Sequence, residues 1–423
     1  MKSGREKRSM AIPHEKGLDN TYQLLKEGFR YIPERRRKFQ SDIFQTRLLG
    51  KKVICIGGEE ASEIFYDEEK FKRKGVAPNR VKETLFGKKG VQGLDDAAHK
   101  HRKQLFMSLM TPERLKDLRE ITRKQWQVAH NNWQKRHTMS LFHETEKVML
   151  RVACEWAGVP LFSRELEQRT RDLAAMIDAF GAIGPRHWKG RTARNRSEKW
   201  AKNLIQQARD GKRQPSENTA FYAMAWHRDL NGKLLSLHTA AVELLNILRP
   251  ITAIGRYVMF GALAMHDFPE TRKKLQSGDA IYSRMFVQEV RRYYPFGPFL
   301  GAKVRQKFAW GGHQFNKGTL VLLDVYGTNH HPDLWKNPDE FSPERFKEWS
   351  GSPFDFIPQG GGDYNMGHRC AGEWVTVEIM QVSLEYLANH MNYKVPEQNL
   401  NYSMVRMPTL PKSRFAISDV TTR

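Results

Sequence analysis

Apolar residues recur at helical spacing along most of the first two thirds of this chain, and the texture then changes. From Gly17 to Tyr31 the pattern is amphipathic, with Leu18, Tyr22, Leu24, Leu25, Phe29 and Tyr31 as its apolar positions, and predicts a first helix. Phe44 to Gly57 breaks that rhythm and predicts a β-hairpin turning near Gly50. Glu59 to Phe65 begins another helix. Helical periodicity then runs on to Met265, broken by turn residues at Gly184-Pro185 and from Gly211 to Pro215. Its most apolar part predicts one long helix from about Leu237 to Met265. After Pro295 come short strands, including Thr319 to Tyr326, and irregular loops. Trp374 to Met391 is again an apolar helix, and Pro408 to Ile417 predicts a last hairpin. The fold class expected is mainly α with a small β region.

Composition narrows this further. A chain of 423 residues can bury a large core, and residues 10–423 are expected to form a single domain behind a short, disordered basic tail at 1–9. Lys and Arg number 70 against 47 Asp and Glu, a net charge of +23. Such a balance attracts nucleic acid, membrane surfaces or anionic small molecules. No Lys/Arg run is interleaved with aromatics in a nucleic-acid motif, which leaves carboxylate ligands and anionic lipid surfaces as the better partners. Three cysteines, Cys55, Cys154 and Cys370, are too few and too odd in number for a disulfide framework and point to a reducing compartment. No stretch approaches the ~20 apolar residues of a membrane span, and no signal-peptide pattern is present. A soluble, cytoplasmic protein without an integral membrane segment is expected.

The most telling stretch is Phe354-Asp355-Phe356-Ile357-Pro358-Gln359-Gly360-Gly361-Gly362-Asp363-Tyr364-Asn365-Met366-Gly367-His368-Arg369-Cys370. Three glycines and a proline rule out a regular helix or central strand and suggest a loop whose backbone lies close against something flat. Cys370 stands before a helix and beside cations, a setting expected to depress its pKa and favour the thiolate. A buried inert cysteine is the commoner fate of a lone Cys, but it needs no triple-glycine approach. No second Cys or His stands at zinc-ligand spacing. A single thiolate on a glycine loop suits the proximal ligand of a heme iron.

These residues carry a resemblance. The segment resembles the heme-binding loop of a cytochrome P-450. Glu289-Val290-Arg291-Arg292 matches the family's Glu-x-x-Arg, and Pro343-Glu344-Arg345-Phe346 its Pro-Glu-Arg-Phe. Phe356 lies farther from Cys370 than the family norm. The insertion from Pro358 to Asp363 resembles one branch, the bacterial fatty-acid peroxygenases and their alkene-forming decarboxylase relatives. The resemblance implies the P-450 fold and heme b with Cys370 as axial ligand to the iron. It also implies hydroxylation of a long-chain fatty acid at the α or β carbon by hydrogen peroxide, without a redox partner protein. Decarboxylation to a terminal alkene is the alternative. A non-catalytic heme sensor or fatty-acid carrier is the rival from another class.

Arg249-Pro250 sits inside the long apolar helix. A buried guanidinium without a counter-charge costs several kcal/mol in real proteins. The nearest upstream acid, Glu243, is six residues away, about 240° round the helix at ~100° per residue. Pro250 frees the carbonyl of Asn246. The residues alone leave two readings open: an arginine that awaits an anion, or one that reaches the surface or a distant acid. In the peroxygenase branch this Arg-Pro pair replaces the acid-alcohol pair of monooxygenases. By that resemblance Arg249 holds the substrate carboxylate, which itself serves as the acid-base group.

Other site residues follow from the same likeness. Gln92 matches a distal position occupied by Gln in hydroxylases and His in decarboxylases; a neutral amide supplies no proton at pH 7, whereas His can. Phe86, Phe180, Phe296 and Phe299 resemble substrate-channel positions. His99 and Lys103, at i and i+4 on one helix face, match the grip on the heme propionates, with Arg73 and His368 as further candidates. Glu289 and Arg292 form an expected helical ion pair, joined by Arg345, that locks the core behind the cysteine loop.

Overall fold

A computed structural model describes residues 11–423; the basic tail expected at 1–9 lies outside the described residues. Helices make the body and strands a flank. The core follows from one element, the helix Leu237–Asp267, which is buried almost throughout because its apolar residues run all round it. It packs against the helices Leu141–Ala157, Pro185–Arg209 and Glu373–Asn389. Length and composition alone would let it cross a membrane, yet 94% of its most apolar window is buried inside the protein.

Among the described residues the ten strands are β1 (Ile43–Leu48), β2 (Lys51–Ile56), β3 (Phe71–Lys72), β4 (Thr138–Ser140), β5 (Phe299–Val304), β6 (Phe308–Trp310), β7 (His313–Phe315), β8 (Leu320–Asp324), β9 (Met391–Lys394) and β10 (Ala416–Thr422). The larger sheet has the order β1-β2-β8-β5-β3, with β2 and β8 parallel. The expected hairpin is there, β1 against β2 in register from Ile43↔Ile56 to Leu48↔Lys51. Helix Glu59–Phe65 falls where the pattern put it, and Pro185–Arg209 fills the interval between the two Gly/Pro breaks.

Two expectations are corrected. The first helix is not continuous: Thr21–Glu27 ends at Gly28, whose φ of 61° a side chain would resist, and Tyr31–Phe39 starts a second. The last hairpin does not form over Pro408–Ile417, where only an isolated bridge, Tyr402↔Pro411, occurs. Instead β10 pairs with β9 and β4, partners far away in sequence that local pattern cannot reveal.

The expected lock behind the cysteine loop is present. Arg292 grips Glu289 through two bonds of 2.7 and 2.8 Å, and Arg345 Nε donates to the same carboxylate at 3.1 Å. Arg292 also donates to the carbonyls of Asn329 and Pro338, so every charge in this buried group is satisfied.

Candidate active site

Cys370 lies two residues before the N-cap of the helix Glu373–Asn389. Its backbone N–H donates to Gln359 O at 3.1 Å, closing the loop on itself. Gln359 Nε2 lies 3.8 Å from Cys370 Sγ and also donates to Thr376 Oγ1 at 3.0 Å. Arg291 braces this from behind, with Nη2 at 2.9 Å from Gln359 Oε1 and 2.7 Å from Glu373 Oε1. Arg369 Nε holds the other oxygen of Glu373 at 2.6 Å.

The expected low pKa of Cys370 is not what the protein alone creates. Burial pushes the thiol up, against the Gly372 N–H and the charges of Lys103 and Arg291, which act downward. The other two cysteines are fully buried with their thiols pushed up, and serve as core.

The glycines of the loop also pack closely on a side chain of the protein. A Cβ on Gly360 would come within 2.8 Å of Tyr66 Oη, and one on Gly362 within 3.0 Å of Tyr66 Cβ. Gly360 and Gly362 further need φ of 90° and 78°. One side of the triple glycine thus lies against Tyr66, which the sequence does not single out.

Arg249 is buried, 6% exposed, on the long helix. Its Nη2 donates to Asn246 Oδ1 at 3.1 Å, and its Nε has no hydrogen-bond partner. Among the described residues it forms no ion pair. Burial, and then the charge of Arg194, push its pKa down to about 9, while the charge of Cys370 acts the other way. Pro250 beside it is exposed in a helix whose neighbours from Thr239 to Met265 are buried, so this turn fronts an open space. Of the two readings of Arg249, the geometry removes the distant acid and the surface route.

Asn246 is the residue that sequence reasoning missed. Its Nδ2 donates to Glu243 Oε2 at 2.9 Å and to Gln92 Oε1 at 3.4 Å, and Glu243 is in turn paired with Arg102 at 2.6 Å. The spacing 243, 246, 249 is i, i+3, i+6, so a relay that winds round the helix by two steps of three was open to reading. Gln92 sits on the short turn Val91–Gly93 and is thereby tied to the residue that holds Arg249.

The predicted cations converge on one side of the cysteine loop. His99 and His368 stack with ring centroids 3.8 Å apart, and His99 Nδ1 is buried without a partner. Lys103 donates to the carbonyl of Arg369, and its pKa is pushed down to about 8 by burial. Arg73 lies over the ring of Phe65 at 4.3 Å and bonds only a backbone carbonyl through its guanidinium. Burial holds both histidines neutral, well below their usual range, so Lys103 and Arg73 carry the charge. Ligating atoms of Glu68, His99 and His368 lie within 4.8 Å of one another, but the adjoining cations make this a place for an anion rather than a metal ion.

The four phenylalanines do not share one environment. Phe86 ends the turn Lys82–Phe86 and is half-buried, with its carbonyl facing Gly90. Phe296 stacks on Tyr257 of the long helix at 4.4 Å and 11°. Phe180 is half-buried just beyond the helix Ser163–Asp178. Phe299 opens β5 and packs into the sheet cluster with Tyr31, Phe44 and Leu322.

An α-rich fold that puts a braced thiol on a glycine loop, a largely cationic rim beside it and an unpaired buried arginine nearby is that of a heme-thiolate oxidoreductase. The residues fit heme: Lys103 and the Arg73 guanidinium, which donate to backbone carbonyls and form no ion pair among the described residues, suit its two propionates, and a buried thiol suits its iron. The Cytochrome P450 family profile matches residues 277–414. Cytochrome P450EX alpha (CYP152N1), solved with myristic acid, is 45% identical, covering 98% of this chain and 100% of that one, with a TM-score of 0.95. A variant of cytochrome P450 OleT in complex with arachidonic acid is 40% identical over 98% of this chain and 99% of its own, with a TM-score of 0.96. Protopanaxadiol 6-hydroxylase of Panax ginseng is 25% identical over 411 residues, 90% of this chain and 85% of that protein. The chain belongs to the cytochrome P450 family, and within it to the CYP152 fatty-acid peroxygenase branch.

Proposed function

We propose that this protein is a heme-thiolate peroxygenase that uses hydrogen peroxide to hydroxylate long-chain fatty acids at the α or β carbon. The observation that carries the reading is Arg249, a buried guanidinium with an unpartnered Nε, no acid partner among the described residues, and an open space at the adjoining Pro250. Such a group costs free energy until an anion arrives, and a carboxylate matches its two-pronged donor geometry.

Arg249 binds the fatty-acid carboxylate and Asn246 fixes the guanidinium through the 3.1 Å bond. The bound carboxylate then acts as the acid-base group, taking a proton from peroxide at one oxygen and returning it to the departing hydroxide. No side chain of this site need supply a proton. Heme, held by Cys370 with its propionates at Arg73, Lys103, His99 and His368, would supply peroxide cleavage and C–H oxidation, which a thiolate ligand favours. Gln92, its Oε1 shared with Asn246, has an amide to offer and no acidic proton, which favours hydroxylation over loss of carbon dioxide. Peroxide brings both the oxidising equivalents and the oxygen, so no redox partner protein is required. Phe86, Phe180 and Phe296 would line the acyl chain, while the packing of Phe299 in the sheet cluster gives it a structural part as well. Three free thiols and no disulfide support a cytoplasmic location.

The test is direct. Heme-loaded protein is incubated with myristic acid and hydrogen peroxide, with no reductase, and products are identified by mass spectrometry. We expect 2- or 3-hydroxymyristic acid as the main product. No oxidation with peroxide, or turnover only with a reductase and NADPH, would overturn the reading.

A further inference from the structure

The face formed by the helix Thr21–Glu27 and the β1–β2 turn is exposed, apolar at its tips and basic around them. Leu18 is 94% exposed, Tyr22 70%, Leu25 42% and Leu49 76%. Tyr22 and Leu25 stand at i and i+3 on one side of the helix Thr21–Glu27, and Leu18 is exposed in the turn that leads into it. Leu49 joins them because the two segments are tied together. Leu49 N donates to Thr21 Oγ1 at 2.7 Å, Gly50 N to Asp19 Oδ2 at 2.5 Å, and Asn20 N to Arg47 O at 2.8 Å. Val405, 46% exposed, continues the patch, since Phe29 N donates to the neighbouring Met404 O at 2.8 Å.

Leu49 is a poor choice for its place. It and Gly50 have φ of 51° and 70°, the positive pair of a two-residue hairpin turn in which Asn or Asp leads and a branched apolar residue is strained. Neither the turn nor the core accounts for a leucine there.

The surrounding charge is one-sided. Lys16, Lys26, Arg47, Lys51 and Lys52 are exposed and form no ion pair among the described residues. Of the local acids, Glu15 and Glu27 are both paired with Arg35, which leaves Asp19, held by backbone N–H groups, as a lone negative charge among five cations. A second copy of this chain would bring the same five positive charges to the contact and be repelled.

We propose that this face docks the protein onto anionic lipid bilayers, the four apolar tips entering the headgroup region while the basic ring meets lipid phosphate. Apolar insertion and attraction of Lys and Arg to an anionic surface are the two terms that together hold a peripheral protein on a membrane. The surface goes beyond the chemistry proposed above and depends on it only for purpose: long-chain fatty acids partition into bilayers, so docking brings the enzyme to its substrate.

Co-sedimentation tests this without any turnover, so its failure is distinct from failure of the peroxygenase reading. Heme-loaded protein is mixed with vesicles of phosphatidylcholine, or of phosphatidylcholine with one third phosphatidylglycerol, at low and high salt. We expect pelleting with the anionic vesicles only, weakened by salt. The variant Lys26→Glu/Lys51→Glu/Lys52→Glu should lose at least about tenfold in partitioning. Leu49→Asn should also weaken binding while leaving the fold as stable or more so, because asparagine suits the turn. Wild-type protein that stays in solution with anionic vesicles, or variants that pellet equally, would overturn the proposal. So would a dimer, seen by light scattering, that the same substitutions dissolve.

Discussion

Arg249 Nη2 donates to Asn246 Oδ1 at 3.1 Å, and this neutral amide, in place of a carboxylate, is what the buried guanidinium has for a partner. Asn246 in turn leans on Glu243 at 2.9 Å, so the acid of the relay is kept one residue removed from the cation. That spacing keeps Arg249 available.

Asn246→Asp should therefore compete with substrate. An aspartate there would offer Arg249 an internal anion, and fatty-acid affinity should fall by about tenfold, or ~1.4 kcal/mol, with heme loading unchanged. Titration followed by the heme absorption spectrum reads this. Unchanged affinity would mean that Arg249 is not the carboxylate anchor.

Gln92→His places a titratable ring where the amide stands, beside Asn246. The share of terminal alkene among the products should rise at the expense of hydroxy acid, measured by gas chromatography with mass spectrometry. An unaltered protein that already makes mainly alkene would contradict the role given to Gln92.

Glu146 gives a pH dependence. Its carboxyl is buried, Oε1 has no partner, and burial pushes its pKa up to about 7, against the charge of Arg256. The folded form holds its proton more tightly than the unfolded one, so stability declines as pH rises from the ordinary carboxylate range to about 7. Glu146→Gln, which mimics the protonated form, should be neutral at pH 5 and stabilise by about 2–3 kcal/mol at pH 8. Denaturant titrations of both proteins at the two pH values check the sign.

Glu289→Gln should cost about 3–5 kcal/mol, because Arg292 and Arg345 would be left charged around a neutral amide in a buried site. The loss should appear as a lower denaturant midpoint. A cost under about 1 kcal/mol would show that the backbone carbonyls around Arg292 suffice.

Much of this was legible in the chain, for physical reasons that differ by residue. The long helix could be read because its apolar surface is continuous, and the hairpin because Gly50 marks its turn. The isolation of Arg249 from Glu243 followed from helical geometry alone. The relay through Asn246 used the same geometry but required an amide to be counted as a link. Contacts across sequence were out of reach: Arg102 meets Glu243 from 141 residues away. Tyr66 meets the glycine loop from about twice that distance, and β10 turns from its local hairpin to β9 and β4. The Cys370 thiol was misjudged because charges are visible in a sequence, whereas the burial that outweighs them is not.

The central claim rests on Arg249, and the most direct measurement is the initial rate of peroxide-dependent product formation from myristic acid in wild-type protein and in Arg249→Ala, at equal heme content. The account expects the variant to lose at least about a hundredfold in rate, because one residue both binds the acid and positions its acid-base group. Added acetate should not restore myristic-acid turnover to it. A variant that hydroxylates myristic acid at the wild-type rate and position would contradict the account.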